Sequence, residues 1–137
     1  MNVEFIAGIA LVTPVPEKSR ELYMGALGLP LGDADGDYFH SGEIEGSKHF
    51  GVWPLSQAAL ACFGTESWPE EVPVPQLSIE FEVASPEEVK AAAEELEALG
   101  FELLHGSREE PWGQTVTRLL SPENAIVGIS YAPWLHV

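Results

Sequence analysis

Four histidines and one cysteine are the side chains of this sequence with the widest chemical repertoire. His49 is the strongest candidate for acid–base chemistry because an unperturbed imidazole titrates near pH ~6.5. A single histidine on a strand also serves structural roles, and both interpretations of His49 stay open. His40, His105 and His136 follow no metal-binding spacing, since neither His-x-x-x-His nor His-Glu-x-x-His occurs. The histidine pattern therefore gives no support for a metal site.

Cys62 lies in an apolar run, residues 59–63, where a cysteine behaves as a small hydrophobic residue. One cysteine cannot close an internal disulfide bond, which fits a reducing compartment. The sequence has no Gly-x-Ser-x-Gly motif, phosphate loop or dinucleotide-binding fingerprint. Phosphoryl transfer and nicotinamide-dependent redox chemistry are therefore not expected.

The charge balance narrows the choice of partners. The 137 residues include 6 Lys and Arg against 22 Asp and Glu, a net charge of −16. Such a surface disfavours nucleic acid and acidic membranes and attracts cationic molecules, although it also serves plain solubility. No basic leader precedes an apolar run, and no window approaches ~18 uninterrupted apolar residues. We therefore expect one cytoplasmic domain without a membrane segment.

The clearest local pattern is a strand followed by a helix. Residues 76–83 alternate polar and apolar side chains, as in a strand with one apolar face. Ser85, Pro86 and Glu88 then form a helix start with a capping serine and a capping-box glutamate, and Gly100 terminates the helix. We expect the apolar strand residues to pack on the apolar helix residues: Leu77, Ile79, Phe81 and Val83 on Val89, Ala92, Ala93, Leu96 and Leu99.

The same order occurs earlier in the chain, offset by 72 residues. A β-rich run at residues 5–12 precedes a predicted helix at residues 17–27, which closes at Gly28. Each half then predicts about three more strands. We interpret the chain as one domain of two βαβββ modules, about residues 4–63 and 76–136, joined by a proline-rich linker at 64–75. The expected fold is α+β, with a curved mixed sheet around a cleft.

Several motifs resemble the vicinal oxygen chelate superfamily, which includes glyoxalase I, bleomycin-resistance proteins and extradiol dioxygenases. These motifs are Pro-Glu-Lys-Ser-Arg-Glu-Leu-Tyr leading to Leu-Gly-Leu at residues 16–29, Glu-Pro-Trp-Gly-Gln at 110–114, and the closing segment at 120–128. Together with the repeat, the resemblance covers about residues 5–135. It implies the glyoxalase/bleomycin-resistance fold and a homodimer, in which exchange of halves between chains stays open.

Metalloenzymes of this superfamily place four metal ligands on the first and last strand of each half. Matched residue by residue, those positions fall on Gly8, Gly51, Ser78 and Gly128. A transition metal needs about three protein ligands with suitable donor atoms, and glycine offers no side chain. The resemblance therefore predicts a bleomycin-resistance-like member without a metal ion or other cofactor.

Strand parity extends this cleft, because residues two apart on a strand point the same way. Together with the four family positions, the neighbouring residues predict a pocket. Its base is formed by the glycines at these positions, and its aromatic sides by Trp53 and Trp112. Glu80 facing solvent, and Arg118 pairing with Glu80 for structure alone, are alternatives that stay open. The remaining expected ligand-binding residues are His49, Gln76, Glu80, Gln114 and Arg118.

Two main functions follow from this pocket. In the first, the cleft binds a small organic molecule, cationic or aromatic, between the indoles. In the second, the chain is an enzyme. It is either a metal-dependent lyase, isomerase or dioxygenase with relocated ligands, or a metal-free isomerase with His49 or Glu80 as base and Arg118 stabilising an oxyanion. A third hypothesis is an interaction module whose cleft has no ligand.

Overall fold

The computed structural model describes residues 1–33 and 37–136. It contains eight strands: β1 (Phe5–Thr13), β2 (Gly32–Asp33), β3 (Phe39–Ser41), β4 (Phe50–Pro54), β5 (Leu77–Glu82), β6 (Leu103–Glu109), β7 (Thr115–Leu120) and β8 (Ile126–Tyr131). The helices are α1 (Pro16–Arg20), a π-helix (Glu21–Ala26), α2 (Leu55–Phe63), α3 (Pro86–Ala98) and a 3-10 helix (Pro133–Leu135). The predicted α+β class is confirmed. No helix in the described part of the chain has the length and apolar character needed to span a bilayer.

The chain divides into two compact units. The N-terminal unit is Gly8–Ser78, and the C-terminal unit combines Met1–Ala7 with Ile79–Val137. Both boundaries fall inside strands, because β1 and β5 each contribute residues to both units.

The N-terminal unit orders its strands β2-β3-β4-β1. β1 runs parallel to β4, with Ile9 opposite Phe50 and Thr13 opposite Pro54, whereas β3 pairs antiparallel with both β2 and β4. The core of this unit contains Leu31, Phe39 and Val52, and Tyr23 and Met24 of the π-helix pack against it. The predicted helix at residues 17–27 is confirmed in extent. Only its first part is α-helical, and the rest is the π-helix.

α2 is an element that the sequence analysis did not anticipate. It begins directly after β4, with Pro54 as its N-terminal cap and no side-chain cap hydrogen bond. The run at residues 50–55 resembles a strand up to its last residue, and the usual helix-start residues Ser, Thr, Asp or Asn are absent from the capping position. Residues 64–76 after α2 contain no helix or strand.

The C-terminal unit follows the predicted order of strand, helix and three strands. Its strands are ordered β5-β8-β7-β6; β8 pairs antiparallel with β7, and β7 with β6. The capping of α3 is confirmed: Ser85 Oγ accepts from the Glu88 amide, and Glu88 Oε2 accepts from the Ala84 amide. Gly100 adopts a φ of +94°, the left-handed conformation that ends the helix.

α3 covers one face of this sheet. Val89 and Ala92 on the helix pack against Ile129 of β8 and against Val83, which directly follows β5. Successive side chains of a strand point to opposite faces of the sheet. The residues of β5, β7 and β8 that alternate with those packed on α3 therefore point to the opposite face. That second face carries the polar side chains that form the candidate site.

Candidate functional site

The opposite face of the C-terminal sheet brings together four residues that the sequence analysis selected: Glu80, Gln114, Arg118 and Gly128. A Cβ atom at Gly128 would lie 3.2 Å from Cγ of Glu80, so the glycine on β8 leaves the space that the Glu80 side chain occupies. Gln114 hydrogen-bonds to Glu80, and Arg118 attracts its carboxylate. One sheet face therefore gathers an acid, an amide and a guanidinium.

Arg118 is the most completely enclosed of these groups, with 1% of its surface exposed. β6 pairs with β7 so that His105 lies opposite Arg118, and Nη1 of Arg118 donates to Nε2 of His105 over 3.1 Å. The same Nη1 lies 3.5 Å from Oε1 of Glu110, which also accepts from Nε of Arg108 over 2.6 Å. A buried guanidinium needs such partners because its charge has left water.

His105 is held in one protonation state by its two neighbours. Its Nδ1 lies 2.7 Å from the Gly106 carbonyl oxygen, which can only accept, and its Nε2 faces Arg118, which can only donate. The neutral imidazole with the proton on Nδ1 satisfies both contacts. Burial lowers the pKa of His105 to about 4; the Gly106 hydrogen bond opposes this shift, and the positive charges of Arg118 and Arg108 reinforce it.

Glu80 is a titratable residue of this face, and it is half-buried. Burial raises the pKa of the Glu80 carboxyl, while the attraction of Arg118 and the hydrogen bond from Gln114 act in the opposite direction. A carboxyl with a raised pKa exchanges its proton nearer to neutral pH than an ordinary glutamate. It can therefore accept a proton or pair with a cation.

Gln114 connects Glu80 to an indole. Gln114 is buried; its Nε2 donates to Oγ of Ser130 over 2.8 Å, and its Oε1 accepts from Nε1 of Trp112 over 2.9 Å. The Trp112 side chain is 47% exposed, so its ring is anchored at one edge and open to solvent elsewhere.

Glu82, another acid of β5, lies two residues beyond Glu80. Glu82 is fully buried, and its Oε2 accepts from the Ala132 amide over 2.5 Å and lies 2.9 Å from Nε2 of His136. Its Oε1 has no hydrogen-bond partner within the described residues. His136 also contacts the rings of Tyr131 and Phe5. Glu82 thus fastens the C-terminal segment to the unit.

In the N-terminal unit, His49 belongs to a separate cluster of rings. Its Nε2 lies 2.5 Å from the hydroxyl oxygen of Tyr38, and its ring stacks on His40 with 4.9 Å between centroids. Tyr38 also stacks on His40 with 4.9 Å between centroids, and its centroid lies 6.1 Å from that of His49. Burial, reinforced by His40, lowers the pKa of His49 to about 4. His49 is therefore neutral at physiological pH.

The positions at which the resemblance implies metal ligands do not suit a metal ion. A Cβ atom would lie 2.9 Å from the His49 carbonyl oxygen at Gly8 and 2.8 Å from the Tyr38 hydroxyl at Gly51. The space over both glycines is thus filled by the chain's own atoms. No group of three or more His, Cys, Asp or Glu side chains that could hold a metal occurs in residues 1–33 and 37–136.

The other predicted site residues lie in the N-terminal unit. Trp53 is half-buried on β4, and Ser78 is buried on β5. Gln76 is exposed, and its carbonyl oxygen accepts from the Val12 amide over 2.9 Å. Trp53 and Trp112 therefore belong to different units.

The sequence analysis missed His105 and Glu110 as partners of the site. One signal could have identified them: Arg118 is one of only six Lys and Arg residues and stands in a strand of mainly apolar residues. A charge in such a position requires a counter-charge and hydrogen-bond acceptors on a neighbouring strand.

Comparison with known proteins gives one family match. The sequence model of the Glyoxalase/Bleomycin resistance protein/Dioxygenase superfamily matches residues 6–127. No curated protein sequence matches the chain.

Three solved structures illustrate the likeness in fold. A glyoxalase/bleomycin resistance protein/dioxygenase superfamily member from Vibrio splendidus 12B01 is 11% identical, with a TM-score of 0.57 over 94% of this chain and 98% of that chain. A methylmalonyl-CoA epimerase variant from Streptomyces coelicolor, in complex with 2-nitronate-propionyl-CoA, is 14% identical, with a TM-score of 0.60 over 96% of both chains. The Mn(II)-bound glyoxalase from Novosphingobium aromaticivorans is 16% identical, with a TM-score of 0.59 over 91% of this chain and 36% of that chain.

These identities support the shared fold and nothing more specific. The family match covers most of the chain, and the solved structures agree with the α+β architecture described above. The chain belongs to the glyoxalase/bleomycin resistance protein/dioxygenase superfamily.

Proposed function

We propose that this protein binds a small organic molecule, cationic or aromatic, through a metal-free site on the polar face of the C-terminal sheet. The observation that carries the proposal is Glu80: the residue is half-buried, and burial of its carboxyl raises the pKa of that group. The groups beside it, Gln114 and Arg118, are buried and held in place by Ser130, His105 and Glu110. Fixed polar groups of this kind lower the entropy cost of binding.

The ligand chemistry follows from charge and from the indole. An ionised Glu80 attracts a cation, and the net charge of −16 raises the local concentration of cations around the whole chain. Trp112, anchored through Gln114, offers an exposed aromatic surface near the same acid. Stacking and cation–π contacts contribute about 0.5–2 kcal/mol for each good pair.

A metal contributes nothing to this proposal. Three of the four family positions are glycine, and neighbouring atoms crowd them. We therefore assign the binding energy to shape, charge and aromatic contact. Elemental analysis of protein purified without chelators tests this step, because a stoichiometric transition metal would support the metal-dependent alternative instead.

A titration of cationic and neutral aromatic compounds tests the binding function. We expect saturable quenching or shift of tryptophan emission with the cations, and a loss of that response in Glu80→Gln. Glu94→Gln is the matched control, since Glu94 is exposed on α3 and the charge change is the same. If both variants bind as wild type does, Glu80 is not the anchor.

The raised pKa of Glu80 favours a second candidate, a metal-free isomerase. A general base works best when its pKa lies near the operating pH. Glu80 would then accept a substrate proton while Arg118 stabilises the developing oxyanion. Turnover that Glu80→Gln abolishes, with ligand binding retained, would favour this candidate over simple binding.

The homodimer implied by the family resemblance is also a proposal. Sedimentation velocity over a range of protein concentrations tests it directly. A species of twice 14.9 kDa supports the dimer, and a single 14.9 kDa species at all concentrations contradicts it.

A further inference from the structure

The N-terminal unit contains a pocket that the proposed function does not use. It has a volume of about 250 Å³ and lies where β1 and β4 end and α2 begins. Its apolar wall is formed by Pro14, Pro16, Pro54 and Leu55. Proline rings keep little conformational freedom, so this wall is set before any ligand arrives.

Trp68 forms the aromatic side of the pocket. Its Nε1 donates to the Val72 carbonyl oxygen over 3.0 Å, and its ring meets Phe63 at 90° with 4.8 Å between centroids. The single polar atom of the indole is therefore already engaged within the protein. The indole therefore lines the pocket with its carbon atoms rather than with a free N–H, in an orientation that the contacts with Val72 and Phe63 fix.

The charge of the residues that line this pocket indicates which ligand it can bind. Glu66, an exposed acid, lines the pocket together with Thr13 and Ser56. Thr13 Oγ1 is occupied, because it accepts from the Val15 amide and from Ser19 Oγ. The described residues that line the pocket include no Lys or Arg. A carboxylate without a lining cation disfavours anions and favours a positive charge.

We infer that this pocket binds the cationic group of a small organic ammonium compound, with Trp68 and Glu66 as its two recognition elements. Cation–π attraction and a carboxylate together distinguish an alkylammonium from a neutral group of the same shape. The volume of about 250 Å³ is smaller than typical pockets for drug-sized ligands, so it suits a head group. This inference is independent of Glu80 and of the C-terminal unit.

Choline and its uncharged carbon isostere, 3,3-dimethylbutan-1-ol, are the probes that isolate the charge. We expect choline to shift the indole N–H resonance of Trp68 in ¹⁵N-labelled protein with a dissociation constant of about 1 mM. The isostere should bind about 3- to 10-fold more weakly, since it lacks the cation–π term. Trp68→Phe identifies the resonance by removing it.

Replacing each of two acidic residues by glutamine distinguishes the effect of the Glu66 carboxylate from that of the protein's overall negative charge. Glu66→Gln should weaken choline binding about 2- to 5-fold, as expected for an exposed charge pair, and leave the isostere unaffected. Glu70→Gln, an exposed acid of the same segment that does not line the pocket, is the control and should change neither affinity.

Three results would overturn the inference. These are equal affinity for choline and its isostere, equal effects of Glu66→Gln and Glu70→Gln, and choline-induced shifts at Trp112 or Trp53 with none at Trp68. Retention of choline binding in Glu80→Gln separates this pocket from the site proposed on the C-terminal sheet, so either assignment can fail without the other.

Discussion

Nε2 of His105 accepts a hydrogen bond from the guanidinium of Arg118, and Nδ1 of the same ring donates a hydrogen bond to the Gly106 carbonyl oxygen. This arrangement requires a neutral ring. Protonation of Nε2 would place two donors against each other and add a positive charge beside Arg118.

We predict that acid destabilises the protein in the range set by its two perturbed histidines. His105 and His49 have pKa values lowered from 6.5 to about 4. Between these values the unfolded state binds more protons than the folded state, so stability rises with pH and is lost on acidification from 6.5 towards 4. Urea unfolding at several pH values measures this slope, and His105→Asn should make it shallower. Titration of folded His105 near 6.5 by NMR would contradict the prediction.

Replacement of Arg118 should cost far more stability than replacement of Arg108, although both contact Oε1 of Glu110. The Arg118 side chain is 1% exposed and that of Arg108 is 40% exposed. Arg118→Gln leaves buried acids without their cation and should cost about 3–5 kcal/mol. Arg108→Gln removes a partner that is itself 40% exposed and leaves Glu110 its contact with Arg118, so it should cost at most about 1 kcal/mol. Similar midpoints for the two variants in urea unfolding would show that the buried pair carries no special cost.

Glu80→Gln should separate stability from binding. Because the folded pKa of Glu80 is raised above 4.5, the folded state retains this proton longer than the unfolded state, and the associated stability is lost as pH rises through the folded pKa. Glutamine resembles the protonated acid, so the variant should be at least as stable as wild type at neutral pH and should lose cation binding at the site on the C-terminal sheet. Glu94→Gln should stay within about 0.5 kcal/mol of wild type. A marked loss of stability in Glu80→Gln at neutral pH would contradict the raised pKa.

Gly51 should tolerate no side chain while Tyr38 is present. A Cβ atom there would lie 2.8 Å from the Tyr38 hydroxyl and 2.9 Å from its ring. Gly51→Ala should cost about 1–3 kcal/mol by overpacking, and the cost should shrink in a Tyr38→Leu background. Gly106→Ala, where no atom lies within 4 Å of the new Cβ, is the matched control. A double-mutant cycle from thermal unfolding measures the coupling, and an additive result would show that Tyr38 does not define the constraint at Gly51.

The elements with strong local signals were predictable from sequence. Ser85, Glu88 and Gly100 specify α3 by contacts within a few residues, and the structure contains those contacts. α2 carries no such signal, because it follows β4 without a linking residue and without a capping side chain. Its helical state depends on tertiary burial of Ala58, Ala59, Ala61 and Cys62.

The sequence predicted which polar residues share a sheet face but not the partners of those residues. The family resemblance and strand alternation together predicted one cleft-facing set that includes Glu80, Gln114 and Arg118, and the structure places these three on one face of the C-terminal sheet. Strand alternation could not reveal that His105 lies opposite Arg118, since that pairing depends on the register shifts between β6 and β7. The ring cluster over Gly8 and Gly51 was equally hidden, because it depends on where Tyr38 and His49 meet in space.

The contact between Glu82 and the backbone of Ala132 should stabilise the C-terminal segment. Glu82 Oε2 accepts from this amide and from His136 inside a fully buried environment. Glu82→Ala leaves the amide without an acceptor and should cost at least about 1–3 kcal/mol, whereas Glu82→Gln keeps an acceptor of similar size and should cost less. Amide hydrogen exchange locates the effect: the Ala132 amide should exchange faster in Glu82→Ala than in Glu82→Gln. Equal exchange rates in the two variants would mean that another acceptor holds the Ala132 amide and that Glu82 has no part in fixing the chain end.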